Sequence, residues 1–415
     1  PGKRVRLWAF TGALLFLAGC NTIPLRNEPL ARFDRDYGYR YRNTPCGKGN
    51  SDSLLVVLTF SGGGTRAAAL SYGVLEKLRD TKIVWEGQER RLLDEVDIIS
   101  SVSGGSFTAA YYGLFGDRLF KDYERVFLRQ SIQGALIRKL FDPEYWWRSA
   151  FSGFDRTEMA VEYYDNHIFE GKTFADIRLK DGPFIEINAT DLGGGYRFSF
   201  IQAQFDLLCS DLDAFPVARA VTASSAFPVA FPAVVLKNHA GNCDVNQSRL
   251  LRYVNAQNSE DLKMRLFKQR VNSYTDRQAR PYIHLVDGGI ADNLGLRAVT
   301  DRIETLGGGF LLSNPRKIPK DILVISVNAE VKPERGIDLT AGKPSVVDTI
   351  DAMSDVEMEL YNHESQLLLR KKLQDFRELM RQRGHEVSVH SIEESFESLQ
   401  TKTLKAYFNN LPTSL

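Results

Sequence analysis

The stretch that most restricts what this chain can become runs from Glu95 to Gly113. A short apolar run, Val96 to Ile99, reads as a buried strand. Ser101-Val102-Ser103-Gly104-Gly105-Ser106 follows as a small-residue turn, and Phe107 to Phe115 has helical character. Strand, tight turn and helix in this order is the nucleophile-elbow pattern, because a serine on such a turn holds its hydroxyl out of the sheet with backbone N–H groups beside it. Ser103 is the serine so placed. Where the G-x-S-x-G form has its first glycine this chain has Ser101, which is small enough to pass a crowded turn. Small-residue turns after strands are common, so the elbow alone decides nothing.

A second unit of the same kind precedes it. Leu54 to Phe60 is an almost continuous apolar run, as expected of a strand covered on both faces. It enters Ser61-Gly62-Gly63-Gly64-Thr65-Arg66, after which Leu70, Val74 and Leu78 recur at helical spacing. A phosphate-binding P-loop fails here, since no Gly-Lys-Ser/Thr closes it. Gly62, Gly64 and Ala67 formally meet the dinucleotide fingerprint. The third reading is an oxyanion hole, in which glycines let backbone N–H groups approach a developing negative charge. That reading also explains why a serine-tipped unit follows one crossover later, and the dinucleotide fingerprint is its strongest rival.

Phe184–Thr190, Tyr282–Val286 and Ile322–Val327 read as further strands, separated by segments long enough for crossovers, which predicts a mostly parallel α/β sheet flanked by helices. Asp287-Gly288-Gly289 directly follows the Tyr282 strand, with Asp292-Asn293 close behind. An aspartate at a strand end meets a serine at a neighbouring strand end; alone, Asp-Gly-Gly is a turn. None of the six histidines follows Asp287 in a loop context suited to a Ser-Asp-His order. His284 lies three residues before Asp287 on one strand, pointing to the opposite face, and reads as a core or strand-flanking residue. No histidine pair has metal-ligand spacing, so a serine–aspartate dyad without metal or cofactor is the simplest assignment.

These residues, in order, carry a resemblance. Gly62-Gly63-Gly64-Thr65-Arg66, the elbow at Ser103 and Asp287-Gly288-Gly289 resemble the patatin-like phospholipases, and the G-G-G-x-R form is similar to their cytosolic phospholipase A relatives. Ala189-Thr190-Asp191-Leu192 and the small-residue segment Ala220–Pro228 resemble two lesser stretches of that family. The resemblance implies a patatin-like variant of the α/β-hydrolase architecture. It implies Ser103 as nucleophile and Asp287 as base, with Gly62, Gly63, Gly64 and Gly104 around the oxyanion. Arg66 would steady the glycine loop or meet a lipid phosphate. The substrates implied are phospholipids or lysophospholipids; smaller soluble esters, or an interaction lipoprotein without turnover, are the alternatives.

The first twenty residues predict location. Lys3, Arg4 and Arg6 precede an apolar Leu7–Leu17, and Leu17-Ala18-Gly19-Cys20 ends it, the pattern of a bacterial lipoprotein signal. Residues 1–19 would be removed and Cys20 lipidated, anchoring an exported protein to a membrane; Asn21 favours the outer one. With 53 basic against 52 acidic residues, nothing points to nucleic acid. Of the remaining cysteines, Cys46, Cys209 and Cys243, the last two bracket one compact segment and are the preferred disulfide; three reduced, buried thiols are the alternative. Residues 20–52 read as a tether, 53–330 as the catalytic domain, and 331–415 as a helical extension. In that extension Leu367, Leu368, Leu369 and Leu373 form an apolar stripe packing on the sheet. Phe141, Tyr145, Trp146, Trp147, Phe151 and Phe154, among Arg138, Lys139 and Arg148, read first as core beneath an insertion. A lid or bilayer-facing surface is the alternative.

Overall fold

Two fully buried seven-residue strands, β1 (Leu54–Phe60) and β2 (Val96–Val102), form the centre of the molecule. Because both faces are covered, their apolar runs do not alternate. The computed structural model describes residues 25–44, 49–228, 231–257, 260–306, 318–331, 336–339 and 341–398. The signal segment, Cys20 and Cys46 lie outside the described residues.

Six more strands complete the sheet: β3 (Phe184–Asp191), β4 (Tyr196–Ser199), β5 (Val234–Lys237), β6 (Tyr282–Val286), β7 (Asp321–Asn328) and β8 (Ser388–Ser395). The order is β8-β7-β1-β2-β3-β6-β5, with β4 on β3. Neighbours from β8 to β3 are parallel, whereas β6 runs antiparallel to both β3 and β5. The sheet is thus mostly parallel, as expected, but the strand ahead of Asp287 runs against the crossover reading. It pairs only with the end of β3, through Val286 to Thr190 and Leu285 to Asp191. Ion pairing sets this approach: Asp191 receives Arg280, just before β6, at 2.7 Å and the Tyr274 hydroxyl at 2.9 Å.

Helices α1 (Gly64–Asp80) and α2 (Gly104–Phe115) rise from the ends of β1 and β2. Every α2 residue from Gly104 to Leu114 is buried, which suits a helix apolar all round. Next come α3 (Ile132–Leu140), α4 (Pro143–Ser152), α5 (Arg156–Tyr164) and α6 (Val217–Ser224), and near the end α7 (Val346–Gln382). Tyr145 and Phe154 are half-buried, but Phe141, Trp146 and Trp147 face solvent, so the aromatic segment does not fill the core. The side chain of Phe151 is outside the described ones.

Both terminal regions differ from expectation. Residues 25–44 are packed on the body: the Asn27 amide pairs with the Lys237 backbone at 2.8 Å in each direction, and fully buried Tyr39 donates to the Ile185 carbonyl at 3.0 Å. Prolines and arginines without periodicity hid this, because the contacts are side chain to distant backbone. The C-terminal region is not purely helical, since β8 extends the sheet beside β7. On α7 the buried stripe is Leu369, Leu373, Phe376 and Met380, whereas Leu367 is exposed. A disulfide joins Cys209 and Cys243.

Candidate active site

Ser103 sits between β2 and α2 with φ 49° and ψ −121°, in a region that non-glycine residues rarely occupy. Strain of this kind costs about 1–3 kcal/mol and persists only where the surroundings over-determine it. They do so here. The Ser103 N–H donates to Ser224 Oγ at 2.9 Å, and that hydroxyl donates to the Asn188 carbonyl at 2.6 Å. Ser106 Oγ lies 3.0 Å from Ser224 Oγ and 3.1 Å from Ser101 Oγ. Ser101, standing where a glycine is usual, fits because its hydroxyl turns into β3 and donates to the Glu186 carbonyl at 3.3 Å.

The hydroxyl of Ser103 donates to Asp287 Oδ2 at 2.8 Å. That contact follows from the antiparallel strand. β3 continues past the level of the elbow, where Val102 pairs with Asn188, and β6 descends along the projecting end and delivers Asp287 to the serine. Five bonds hold the aspartate among the described residues: Oδ2 from the Ser103 hydroxyl, Oδ1 from the Gly289 N–H at 2.8 Å, its own N–H to the Ala226 carbonyl at 2.9 Å, and its carbonyl from Thr190 Oγ1 at 2.8 Å and the Ile290 N–H at 3.4 Å. Burial raises its pKa from 3.8 to about 6, and the Gly289 N–H and Ser103 hydroxyl hold it from going higher. No histidine bonds to either residue among the described ones. His284 is exposed on β6, with its neighbours Ile283 and Leu285 buried.

The glycine loop lies against this pair. Gly63 has φ 127° and Gly64 φ 61°, both in the region that favours glycine. A Cβ at Gly104 would stand 2.0 Å from the Gly64 carbonyl oxygen, so the two helix starts meet backbone to backbone. The N–H groups of Gly63, Gly64 and Gly104 find no acceptor among the described residues, and two helix N-termini bring their positive ends to one place. Gly62 is different from the expected role. Its N–H donates to the Asn293 carbonyl at 2.9 Å and is not free for an oxyanion. It is a glycine for space, since a Cβ would stand 2.5 Å from Asn293 Oδ1 and 3.4 Å from Ser103 Cβ. Arg66 is buried and donates to the Ala329 carbonyl at 3.1 Å, which ties the loop to the end of β7.

Supporting residues escaped the reading of the sequence: Thr190, Ser224 and Ala226 lie in the two lesser stretches, but as small residues they read as packing. Asn293 followed the aspartate closely, yet its role depends on a carbonyl that no sequence pattern marks. Its amide reaches Asn362 of α7 at 3.4 Å, and Asn362 donates to Glu330 at 2.8 Å, so the C-terminal helix backs the glycine loop.

Among curated proteins none matches. A solved structure of human GIVD cytosolic phospholipase A2 is similar over 66% of this chain and 45% of that one, at 12% identity and a TM-score of 0.35. This chain therefore spans less than half of that relative's length. The family model for patatin-like phospholipase matches residues 58–300, a span that begins within β1 and holds the glycine loop, the elbow and Asp287. On that match over more than half of its length, the chain belongs to the patatin-like phospholipase family.

Proposed function

We propose that this protein is a lipid acyl hydrolase that cleaves the carboxylic ester bonds of phospholipids or lysophospholipids with a Ser103–Asp287 dyad. The observation carrying this reading is the 2.8 Å bond from the Ser103 hydroxyl to a buried aspartate, beside the two helix N-termini at Gly64 and Gly104. Ser103 Oγ attacks the ester carbonyl as its proton passes to Asp287 Oδ2. The N–H groups of Gly63, Gly64 and Gly104 receive the oxyanion, and each such donor contributes about a hundredfold or more in rate. Collapse of the tetrahedral intermediate breaks the ester C–O bond, and Asp287 returns the proton to the departing alcohol. The same carboxylate then takes a proton from water, whose oxygen attacks the acyl-serine, and acid is released with Ser103 restored.

Membership of the family supports ester hydrolysis; the lipid substrate is tested by presentation. Hydrolysis of a short-chain phospholipid should rise steeply once its concentration passes the micellar threshold. A rate that follows substrate concentration smoothly through that threshold, with soluble esters cleaved as well, would assign the protein to small-ester hydrolysis instead.

The reading extends to location. Lys3 to Cys20 supports export and lipidation at Cys20, with Asn21 favouring the outer membrane. Cys20→Ala should move the protein from the membrane to the soluble fraction on cell fractionation; an unchanged distribution would remove the lipid anchor.

A further inference from the structure

The ring of Phe127 stacks on Phe107 at 4.5 Å, within the first turn of the helix behind Ser103. Beyond α4 the chain is fixed again at Thr157, whose hydroxyl donates to the Pro232 carbonyl at 2.7 Å. Pro232 lies shortly after Ala226, the residue whose carbonyl holds the Asp287 N–H. The segment between these points contains α3, which buries Ile132 and Leu136, and α4, for which no described side chain is fully buried.

Local signals make the second helix firm: Asp142 caps it by accepting from the Glu144 N–H at 2.9 Å, with Pro143 in the first turn. One side is held inward. The Arg148 guanidinium lies 3.6 Å over Phe154 and donates to Glu162 at 2.7 Å, and Tyr145 packs on Phe154 with centroids 6.1 Å apart. On the outward side Trp146 is 64% exposed, Trp147 69% and the preceding Phe141 81%. Side chains this large are usually covered, and three within seven residues make a patch.

The charge around the patch identifies what covers it. Residues 124–148 carry five basic side chains against three acidic ones; Arg129 pairs with Glu124, while Arg125 and Arg138 are exposed. Tryptophan and phenylalanine ringed by arginine and lysine is the composition of a segment that lies in a membrane interface, with rings at the headgroup boundary and cations at lipid phosphates. We propose that the hairpin Ile132–Ser152 docks this protein on an anionic phospholipid bilayer. In that pose Phe141, Trp146 and Trp147 enter the boundary, while Arg138 and Lys139 meet headgroups. The proposal rests on the reading that the substrate is presented in a bilayer.

The test is co-sedimentation of the full chain carrying Cys20→Ser, which removes any acyl anchor, and Ser103→Ala, which leaves vesicles intact. The vesicles are phosphatidylcholine alone and phosphatidylcholine mixed with phosphatidylglycerol. Binding to the mixed vesicles is expected to fall about tenfold or more with Trp146→Ser and Trp147→Ser together. With Arg138→Gln and Lys139→Gln it is expected to fall about 25-fold on mixed vesicles and little on neutral ones. With Ser103 restored, both pairs should cleave a soluble short-chain ester at the parent rate while KM for vesicle substrate rises. Vesicle binding unaltered by the tryptophan substitutions overturns the proposal, as does a soluble-ester rate that falls in step with it. So does a concentration-dependent dimer that these substitutions dissolve in a protein that ignores vesicles. Binding is read without turnover. A protein that docks through the hairpin yet cleaves nothing would refute the hydrolase reading alone, and an active enzyme that docks equally well without the tryptophans would refute the docking alone.

Discussion

Ser103→Ala should lower kcat/KM by at least about 10⁴-fold and abolish labelling by a fluorophosphonate probe, with the fold unchanged. The size follows from what the hydroxyl does: it forms the covalent acyl intermediate, and no neighbouring group replaces it. The nearest hydroxyls, Ser224 and Ser106, are bonded beneath the backbone of the elbow. Loss of the side chain also releases Asp287 Oδ2 from its one hydrogen bond, which should raise the pKa of that carboxyl further. The measurement is burst kinetics and probe labelling of wild type beside the variant. Equal labelling of the two would move the nucleophile elsewhere.

Asp287→Asn should cost about 10⁴-fold in kcat and at the same time leave the protein more stable at neutral pH. The sign is set by burial. The carboxyl has a pKa of about 6 in the folded protein against 3.8 as the unperturbed value, so the folded state binds its proton more tightly. The stability this provides is complete below 3.8 and lost as the pH rises through about 6. Above that, wild type carries a desolvated carboxylate at a cost of roughly 3 kcal/mol relative to the protonated form. Asparagine carries none. Urea unfolding of both proteins at pH 4 and pH 8 should show the difference in favour of the variant growing by about this amount. The same ionisation gives wild-type kcat/KM an acid limb, rising about tenfold per pH unit up to about 6 and flat beyond it, because only the carboxylate accepts the serine proton. A profile without that limb, or a stability advantage of the variant over wild type no larger at pH 8 than at pH 4, would remove the buried base.

Where chemistry is written in consecutive residues it was legible. Gly62 to Arg66, Ser103 and Asp287 each stand beside a strand whose apolar run is plain, and the strands at Leu54, Val96, Phe184, Tyr282 and Asp321 lie where those runs predict them. Direction was not legible. That β6 runs antiparallel depends on Arg280 finding Asp191, a pairing across 89 residues that no local pattern carries. Strand β8 falls inside the stretch expected to be helical because an edge strand buries little: Ser388–Ser395 is mostly exposed and carries no apolar run, and backbone pairing with β7, with Asn328 donating to Glu393 at 3.1 Å, holds it in place. Gly62 was grouped with its neighbours because a string of glycines looks uniform, although one answers to space and the others to conformation.

The glycine loop has a consequence in time as well as in space. Its bonds run to distant parts of the chain: Ser61 N–H to the Val327 carbonyl, Ser61 Oγ from the Ala329 N–H, Arg66 to the Ala329 carbonyl and Gly62 to Asn293. Two of these close loops of 268 and 263 residues, and contacts so distant form late because chain closure must precede any gain from them. A chain that has not yet extended past Ala329 has its serine but no anchored glycine loop beside it. The elbow and the loop that faces it are therefore completed together, after most of the chain has been made.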